Sequence, residues 1–259
     1  MNDPTANRLN QINLRFYEWS ATSFSETRNH AWSGWFNLIG QIPLLDPLRV
    51  LDIGCGNGRF LGFLHSALGD RVVHYTGVDA SETLLEEAGR QFADIGGARW
   101  ERVDLFEEPG LEAWAPGQVF DLVVAFGVFH HIPGSLRRAR LLNHLHRRLS
   151  PGGLLVITLW RFHEKARFEN RILDWETFNT KSDRPLDLDQ LERNDFLLGW
   201  KNDPEAVRYC HAFDDQERDA LIQQCGILPF HTFRADGKSG DLNEYLLFRE
   251  PGAPSAAAT

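Results

Sequence analysis

The sequence predicts an α/β protein built on a doubly wound, mostly parallel sheet. Three observations carry this expectation. From Arg49 onward, short apolar runs alternate with amphipathic runs in the strand, turn, helix order that βαβ units require. Two of the apolar runs, 49–53 and 120–126, are almost uninterrupted, as central strands covered on both faces should be. The first run empties into Gly54-Cys55-Gly56-Asn57-Gly58, where glycines let the backbone turn sharply and approach a ligand.

Each element follows in order. Before the sheet, Leu9, Ile12, Phe16, Trp19, Phe24, Trp32, Trp35, Phe36 and Ile39 are spaced as in two short helices joined near 23–29. Pro43 and Pro47 then punctuate the chain. Strands are expected at 49–53, 73–78, 98–103, 120–126 and 154–159, and helices at 59–68, 81–93 and 136–149. Ser81 is placed as an N-cap, with Leu84, Leu85 and Ala88 on one buried side. Residues 161–212 break the alternation and are rich in Trp, Phe, Asp and Arg, which suggests an insertion over the strand ends. A helix at 214–225, closed by Gly226, precedes two strands at 228–234 and 243–248 that form an antiparallel edge. The division expected is an N-terminal helical cap (1–47), a core (48–160), a substrate-covering insertion (161–212), and the C-terminal helix with the edge strands (213–250). The tail, 251–259, has too little to bury for order.

Composition narrows the functional classes. With 259 residues, 42% of them hydrophobic, the chain can fill one large core. No apolar run approaches the roughly 18 to 20 residues of a membrane span. The first 19 residues lack the basic start and apolar stretch of a signal peptide. Three cysteines without CxxC spacing argue against a disulfide framework or structural zinc, so a reducing cytoplasmic compartment is expected. A net charge of −9 disfavours strong non-specific binding to nucleic acid, although it permits a local basic patch.

The glycine turn is part of a larger constellation. Asp52, Gly54, Gly56 and Gly58 form D-x-G-x-G-x-G at a strand end that feeds a helix. Asp79 ends the second strand and Asp104 the third, so three acids stand at three successive strand ends, where ligands of doubly wound sheets bind. A dinucleotide site wants G-x-G-x-x-G with a pyrophosphate on the helix N-terminus, and Asp52 would lie unfavourably close to it. S-adenosylmethionine carries no phosphate and presents a cationic amino group and sulfonium, which a carboxylate favours.

VLDIGCGNG, GVDAS, the VDL segment, DLVVAFGVFHHI and LSPGGLL together resemble the class I S-adenosylmethionine-dependent methyltransferases, over residues 49–160. The resemblance implies a Rossmann-like seven-stranded sheet, with S-adenosyl-L-homocysteine as product. It implies that Asp52, Gly54 and Gly56 line the methionine moiety and that Asp79 binds the ribose hydroxyls beside Ala80. Asp104 would meet the adenine amino group, with Leu105 against the ring. Phe126 and Gly127 would close the pocket.

The flanks resemble one subfamily, the tRNA methyltransferases that esterify 5-carboxymethyluridine at the wobble position, and its bacterial relatives. Ser25, Thr27, Arg28 and Trp32 match a segment before the core; Trp200, Arg208, Tyr209, His211 and Phe213 match one after the fifth strand. Cys210 stands where that family has a second tyrosine, and DLNEYLLF departs from its final strand. The acceptor implied is a carboxylate of a tRNA, or alternatively a small-molecule carboxylate, phenol or amine. Some members of that family work with a small activating subunit. A reading from another class is a cofactor-binding regulatory module or partner-dependent subunit.

A carboxylate acceptor is ionised at neutral pH and needs no general base, but it does need a charged clamp. Arg28 and Arg208 are the candidates, with Tyr209 and His211 as supporting donors and Trp200 as a stacking surface. Arg28 could equally hold the methionine carboxylate, and either arginine could merely pin the cap. His130, beside His131 after the fourth strand, is placed to act as a base for another nucleophile or to fix its loop. No third ligand at suitable spacing makes the pair a metal site, and none is expected. The run RRARLLNHLHRR, with Arg137, Arg138, Arg140, Arg147 and Arg148, either tracks an RNA backbone or is the solvated face of a helix.

Overall fold

The computed structural model describes residues 1–26, 30–105, 114–200 and 203–250. Thr27, Arg28 and the tail 251–259 lie outside the described residues.

Seven strands form one sheet: β1 (Leu48–Ile53), β2 (Val73–Asp79), β3 (Ala98–Arg102), β4 (Phe120–Ala125), β5 (Leu149–Trp160), β9 (His231–Ala235) and β10 (Asn243–Arg249). Their order is β3-β2-β1-β4-β5-β10-β9. The first five are parallel, and β10 runs antiparallel to both β5 and β9. This is the expected doubly wound sheet with an antiparallel edge. The strand order reverses between β1 and β4, so their carboxyl ends open a crevice there.

Local chemistry explains the helices that frame that crevice. Helix α3 (Arg59–Leu68) starts directly after the glycine turn and buries Phe60, Leu61, Phe63 and Leu64 on the sheet. Ser81 accepts the Leu84 N–H at 3.4 Å and caps α4 (Glu82–Gln91), whose Leu84, Leu85 and Ala88 are buried. Helix α5 (Ser135–His146) covers the other face with Ala139, Leu142 and Leu145. Helix α7 (Asp215–Cys225) is capped by Asp214, which accepts the Glu217 N–H at 2.8 Å, and ends at Gly226.

The N-terminal region differs from expectation. In place of two short helices there is one long helix, α1 (Asp3–Glu26), followed by the single turn α2 (Ser33–Phe36) and a 3-10 turn at Ile39–Gln41. Helix α1 reaches back to Asp3 because its apolar face continues to Ala6, which is fully buried. That face does not pack on the main sheet. Leu9 and Ile12 cluster with Leu186, Leu197 and Tyr209 of the 161–212 region. That region holds β6 (Ile172–Leu173), α6 (Trp175–Thr180), β7 (Asp195–Trp200) and β8 (Asp203–His211), the strands forming a separate antiparallel sheet in the order β6-β7-β8. Among the described residues, no helix is long and apolar enough to cross a membrane.

Candidate active site

A cleft of about 620 Å³ lies over the carboxyl ends of β1, β2 and β4, roofed by α1, by residues 30–35 and by the second sheet. All nine residues expected to hold the cofactor line it: Asp52, Gly54, Gly56, Asp79, Ala80, Asp104, Leu105, Phe126 and Gly127. The size falls in the range of about 300–1,000 Å³ that accommodates small ligands.

The glycine turn is shaped for close approach. Gly54 and Gly56 both have positive φ, +65° and +54°. A Cβ on Gly54 would sit 2.6 Å from Val128, whereas one on Gly56, which lines the cleft, would meet no protein atom within 4 Å. The bare edge at Gly56 is therefore room left for a ligand. Asp79 braces the turn from β2: Oδ2 accepts the Gly56 N–H and Oδ1 the Ser81 N–H, each at 2.9 Å. Burial raises the Asp79 pKa, and these backbone donors partly offset that rise.

Asp52 is 3% exposed. Burial pushes its carboxyl up to about 7, against the stabilising Tyr75 hydroxyl that donates to Oδ2 and the nearby charge of Arg59. Arg59 is a cleft residue the sequence analysis passed over. Its guanidinium lies over the rings of Trp32 and Trp35, 5.0 and 5.5 Å from their centroids, and burial lowers its pKa to about 10. Trp32, named from the sequence, thus forms part of the roof.

That roof is held by Asp236 in the turn between β9 and β10, at φ +69°. Its carboxylate accepts the Gly34 N–H (2.8 Å), the Ser33 hydroxyl (3.2 Å), the Asn243 amide (2.8 Å) and the Tyr245 hydroxyl (2.6 Å). The signal available in the sequence was the Asp236-Gly237 pair, a turn dipeptide suited to positive φ.

The opposite end of the cleft contains Arg208, His130, His131, Trp160 and Trp200. Arg208 is 4% exposed and stacks against Phe16, Trp160 and Trp200, 5.2, 5.3 and 5.2 Å from their centroids. Its Nε has no hydrogen-bond partner, and among the described residues no carboxylate pairs with it. Trp160, which composition alone would assign to packing, lines this half of the cleft.

Tyr209 and His211 are not brought there. Side chains alternate along a strand, so Arg208 and Cys210 share one face of β8 while Tyr209 and His211 point to the other. Tyr209 donates to Asp195 Oδ1 at 2.7 Å. His211 Nδ1 lies 2.8 Å from the same oxygen, and its Nε2 lies 3.3 Å from Glu217. Both belong to a buried polar network behind the second sheet. Of the supporting donors expected from the sequence, neither faces the cleft; Arg28 lies outside the described residues.

His130 lies against Trp160, with ring centroids 4.8 Å apart. His131 joins three elements: its Nε2 is 2.6 Å from the Tyr17 hydroxyl on α1, and its Nδ1 is 3.1 Å from the Tyr209 carbonyl. Strand register adds Cys210, whose Sγ lies 3.9 Å from His131 Nδ1, so a third metal-type ligand unseen in the sequence is present. Both His131 nitrogens are engaged, however, and burial raises the Cys210 thiol to about 12. The trio is therefore read as a packed hydrogen-bonding group.

The basic run along α5 and the two residues after it has commitments of its own. Arg138 donates to Glu192 at 2.5 Å and to the Ile132 carbonyl, Arg137 pairs with Asp3, and Arg148 donates to the Trp114 and Ala115 carbonyls. These three side chains brace the fold, leaving Arg140 and Arg147 exposed.

Comparison with known proteins agrees with this geometry. Residues 51–155 match the methyltransferase domain family. The chain is 34% identical to the trans-aconitate 2-methyltransferase of Azoarcus sp. over 50% of its own length and 46% of that protein's. It is 28% identical to the tRNA (carboxymethyluridine(34)-5-O)-methyltransferase of Arabidopsis thaliana over 56% of its length and 32% of that protein's. The chain thus spans half or less of these two relatives. Among solved structures, the 1,6-didemethyltoxoflavin-N1-methyltransferase of Burkholderia thailandensis, with bound S-adenosylhomocysteine, superposes with a TM-score of 0.63. It is 16% identical, and the match covers 97% of this chain and 92% of that one.

Proposed function

We propose that this chain, whose residues 51–155 match the methyltransferase domain family, is a class I S-adenosylmethionine-dependent methyltransferase that converts a carboxylate to its methyl ester. The observation that carries this reading is Arg208, a buried guanidinium boxed by three aromatic rings, with its Nε unpartnered, on a side chain that lines the cleft. Such a cation is costly unless an anion completes it, and the planar fork of arginine suits the two oxygens of a carboxylate.

On the donor side, Asp79 and Asp104 are assigned to the ribose hydroxyls and the adenine amine, flanked by Ala80 and Leu105. Asp52 and Arg59 face the methionine end, where the donor carries an ammonium and a carboxylate. Gly54 and Gly56 admit its backbone-side edge, and Phe126 and Gly127 close the floor toward the acceptor. When bound, S-adenosylmethionine would supply an electrophilic methyl group on a cationic sulfur leaving group, and an ionised carboxylate accepting that methyl has no proton to lose. The protein's work is then alignment and exclusion of water. Arg208 fixes the acceptor, Trp160 and Trp200 wall it in, and His130 buttresses Trp160; no base is required of His130.

Both sequence relatives described above have names that specify carboxylate-bearing acceptors, trans-aconitate in one case and carboxymethyluridine in the other. Observations on this chain favour the small organic acid: the net charge is −9, and three of the five arginines in the run 137–148 are tied to internal partners. The test is transfer of labelled methyl from S-adenosylmethionine to an organic-acid panel and, separately, to tRNA bearing carboxymethyluridine. Label released as methanol by mild alkali supports esterification, and the productive arm identifies the carrier. Alkali-stable label in every product overturns it.

A further inference from the structure

Beyond Arg208, the acceptor half of the cleft holds two more arginines, Arg167 and Arg171, on the 3-10 turn Ala166–Arg171. Both guanidiniums lie over the ring of Phe168, 4.8 and 5.7 Å from its centroid. Phe168 is buried and meets Trp160 edge-on at 5.2 Å, and Trp160 in turn carries Arg208 on its face at 5.3 Å. Two aromatic rings therefore connect a buried cation to a cationic rim on one wall of one cleft. Arg167 also reaches the roof: its Nη2 is 3.4 Å from where a Cβ on Gly237 would stand.

What separates these arginines from their neighbours is charge balance. On the same stretch of chain, Arg161 pairs with Glu164, Asp215 and Glu244, and Lys165 pairs with Asp241 at 2.7 Å. Arg234, across the turn, pairs with Glu164 and Asp215. Among the described residues neither Arg167 nor Arg171 has a carboxylate partner, in a chain with nine more acids than bases. Cations left unpaired amid such an excess, and aimed at a ligand cleft, mark a place where the counter-charge comes from the ligand.

We infer that the acceptor carries a second anionic group, a carboxylate or phosphate-type oxyanion, and that Arg167 and Arg171 receive it at the mouth while Arg208 holds the carboxylate to be esterified. The acceptor class is thus a polyanionic organic acid, with one charge neutralised by methylation and one left as the handle. This rests on the reading of Arg208 as the carboxylate contact.

The test uses the full chain saturated with S-adenosylhomocysteine, with tryptophan fluorescence as readout. The probes are dicarboxylates from succinate to pimelate, their half-methyl esters, and phosphonocarboxylates of matching length. At least one dianion is expected to bind about tenfold more tightly than its half-ester, a gain of the size of one charge-assisted contact. The R167Q/R171Q double variant should erase that gain, bringing the ratio of dianion to half-ester affinity down to the statistical factor, and both side chains are exposed, so the fold should tolerate the change. R208Q and R208K should weaken dianion and half-ester alike. Which series shows the gain distinguishes a carboxylate handle from a phosphate-type one. If every dianion exceeds its half-ester by only the statistical factor of about two, the second site is overturned and Arg208 stands. If binding is indifferent to R208Q, the carboxylate reading falls instead. Failure of every acid to bind overturns both.

Discussion

Arg208 and Tyr209, consecutive on β8, serve opposite sides of one strand: the guanidinium faces the cleft between Trp160 and Trp200, and the phenol is buried against Asp195. Substitutions at the two positions should therefore fail in different ways. Arg208→Gln is expected to lower kcat/KM for the acceptor by roughly 10–100-fold, the worth of a charged hydrogen bond, with affinity for S-adenosylhomocysteine unchanged. Tyr209→Phe should cost about 1–3 kcal/mol of stability by leaving Asp195 short of a donor, with turnover per folded molecule intact. Steady-state kinetics and urea melts on both variants check the pair.

Asp52 gives the donor site a pH dependence whose sign follows from its raised pKa of about 7. In the unliganded protein the folded state holds a proton that the unfolded chain has released. Stability from this group is thus complete below the ordinary carboxylate range and declines as pH rises toward 7. Donor binding runs the other way, because only the ionised carboxylate attracts a cationic methionine end. Calorimetry of S-adenosylmethionine binding should show affinity rising with pH and levelling above about 7. Asp52→Asn, which can still accept from Tyr75, should be weak and flat across that range.

Asp236 combines a positive φ with a carboxylate that receives four donors, and the two demands can be separated. Asparagine tolerates the left-handed backbone but offers one acceptor oxygen and an amide N–H facing existing donors. Alanine satisfies neither demand. The expected order of stability is wild type, then Asp236→Asn, then Asp236→Ala, with the alanine variant losing about 3 kcal/mol or more. A shift in the fluorescence of Trp32 and Trp35 should accompany the loss.

Behind the second sheet, burial opposes the charge on Glu192, but Arg138 beside it outweighs that penalty and holds its carboxyl below the ordinary value. Its contribution is present above the ordinary glutamate range and is lost as pH falls through the depressed folded value. Glu192→Gln strands the buried Arg138 charge and should cost about 3 kcal/mol at neutral pH, with the difference shrinking in acid. Urea midpoints between pH 4 and 7 measure this, and donor affinity should not move.

The parts of the molecule legible in the sequence are those whose logic is local. The first helix after the glycine turn reads correctly to the residue, Arg59–Leu68, because Gly58 and Gly69 bracket it. The acids at the ends of β1 and β2 and the one just beyond β3 announce the cleft, which all three line, because each sits at a strand-to-turn transition. The cap and the 161–212 region were opaque because they bury each other: Leu9 and Ile12 find Leu197 and Tyr209, a pairing no window of sequence displays. Alternation along 208–211 was readable, and it separates Arg208 from Tyr209 and His211. Which face met the cleft was not, since that depends on α1 lying across β8. Arg59, Arg167 and Arg171 were missed for a related reason: an arginine declares itself by the carboxylate it lacks, which only three dimensions reveal.

The tie between Gly34 and Asp236 spans 202 residues and gives the enzyme a chronology. On the ribosome, the glycine turn and its three acids emerge first, yet Ser33 and Gly34 beside Trp32 lack their carboxylate anchor until Asp236 is made. A nascent chain halted before that residue would own the floor of the cleft with its roof unanchored at Ser33 and Gly34, so that contact closes only when nearly all of the chain described here is available to fold.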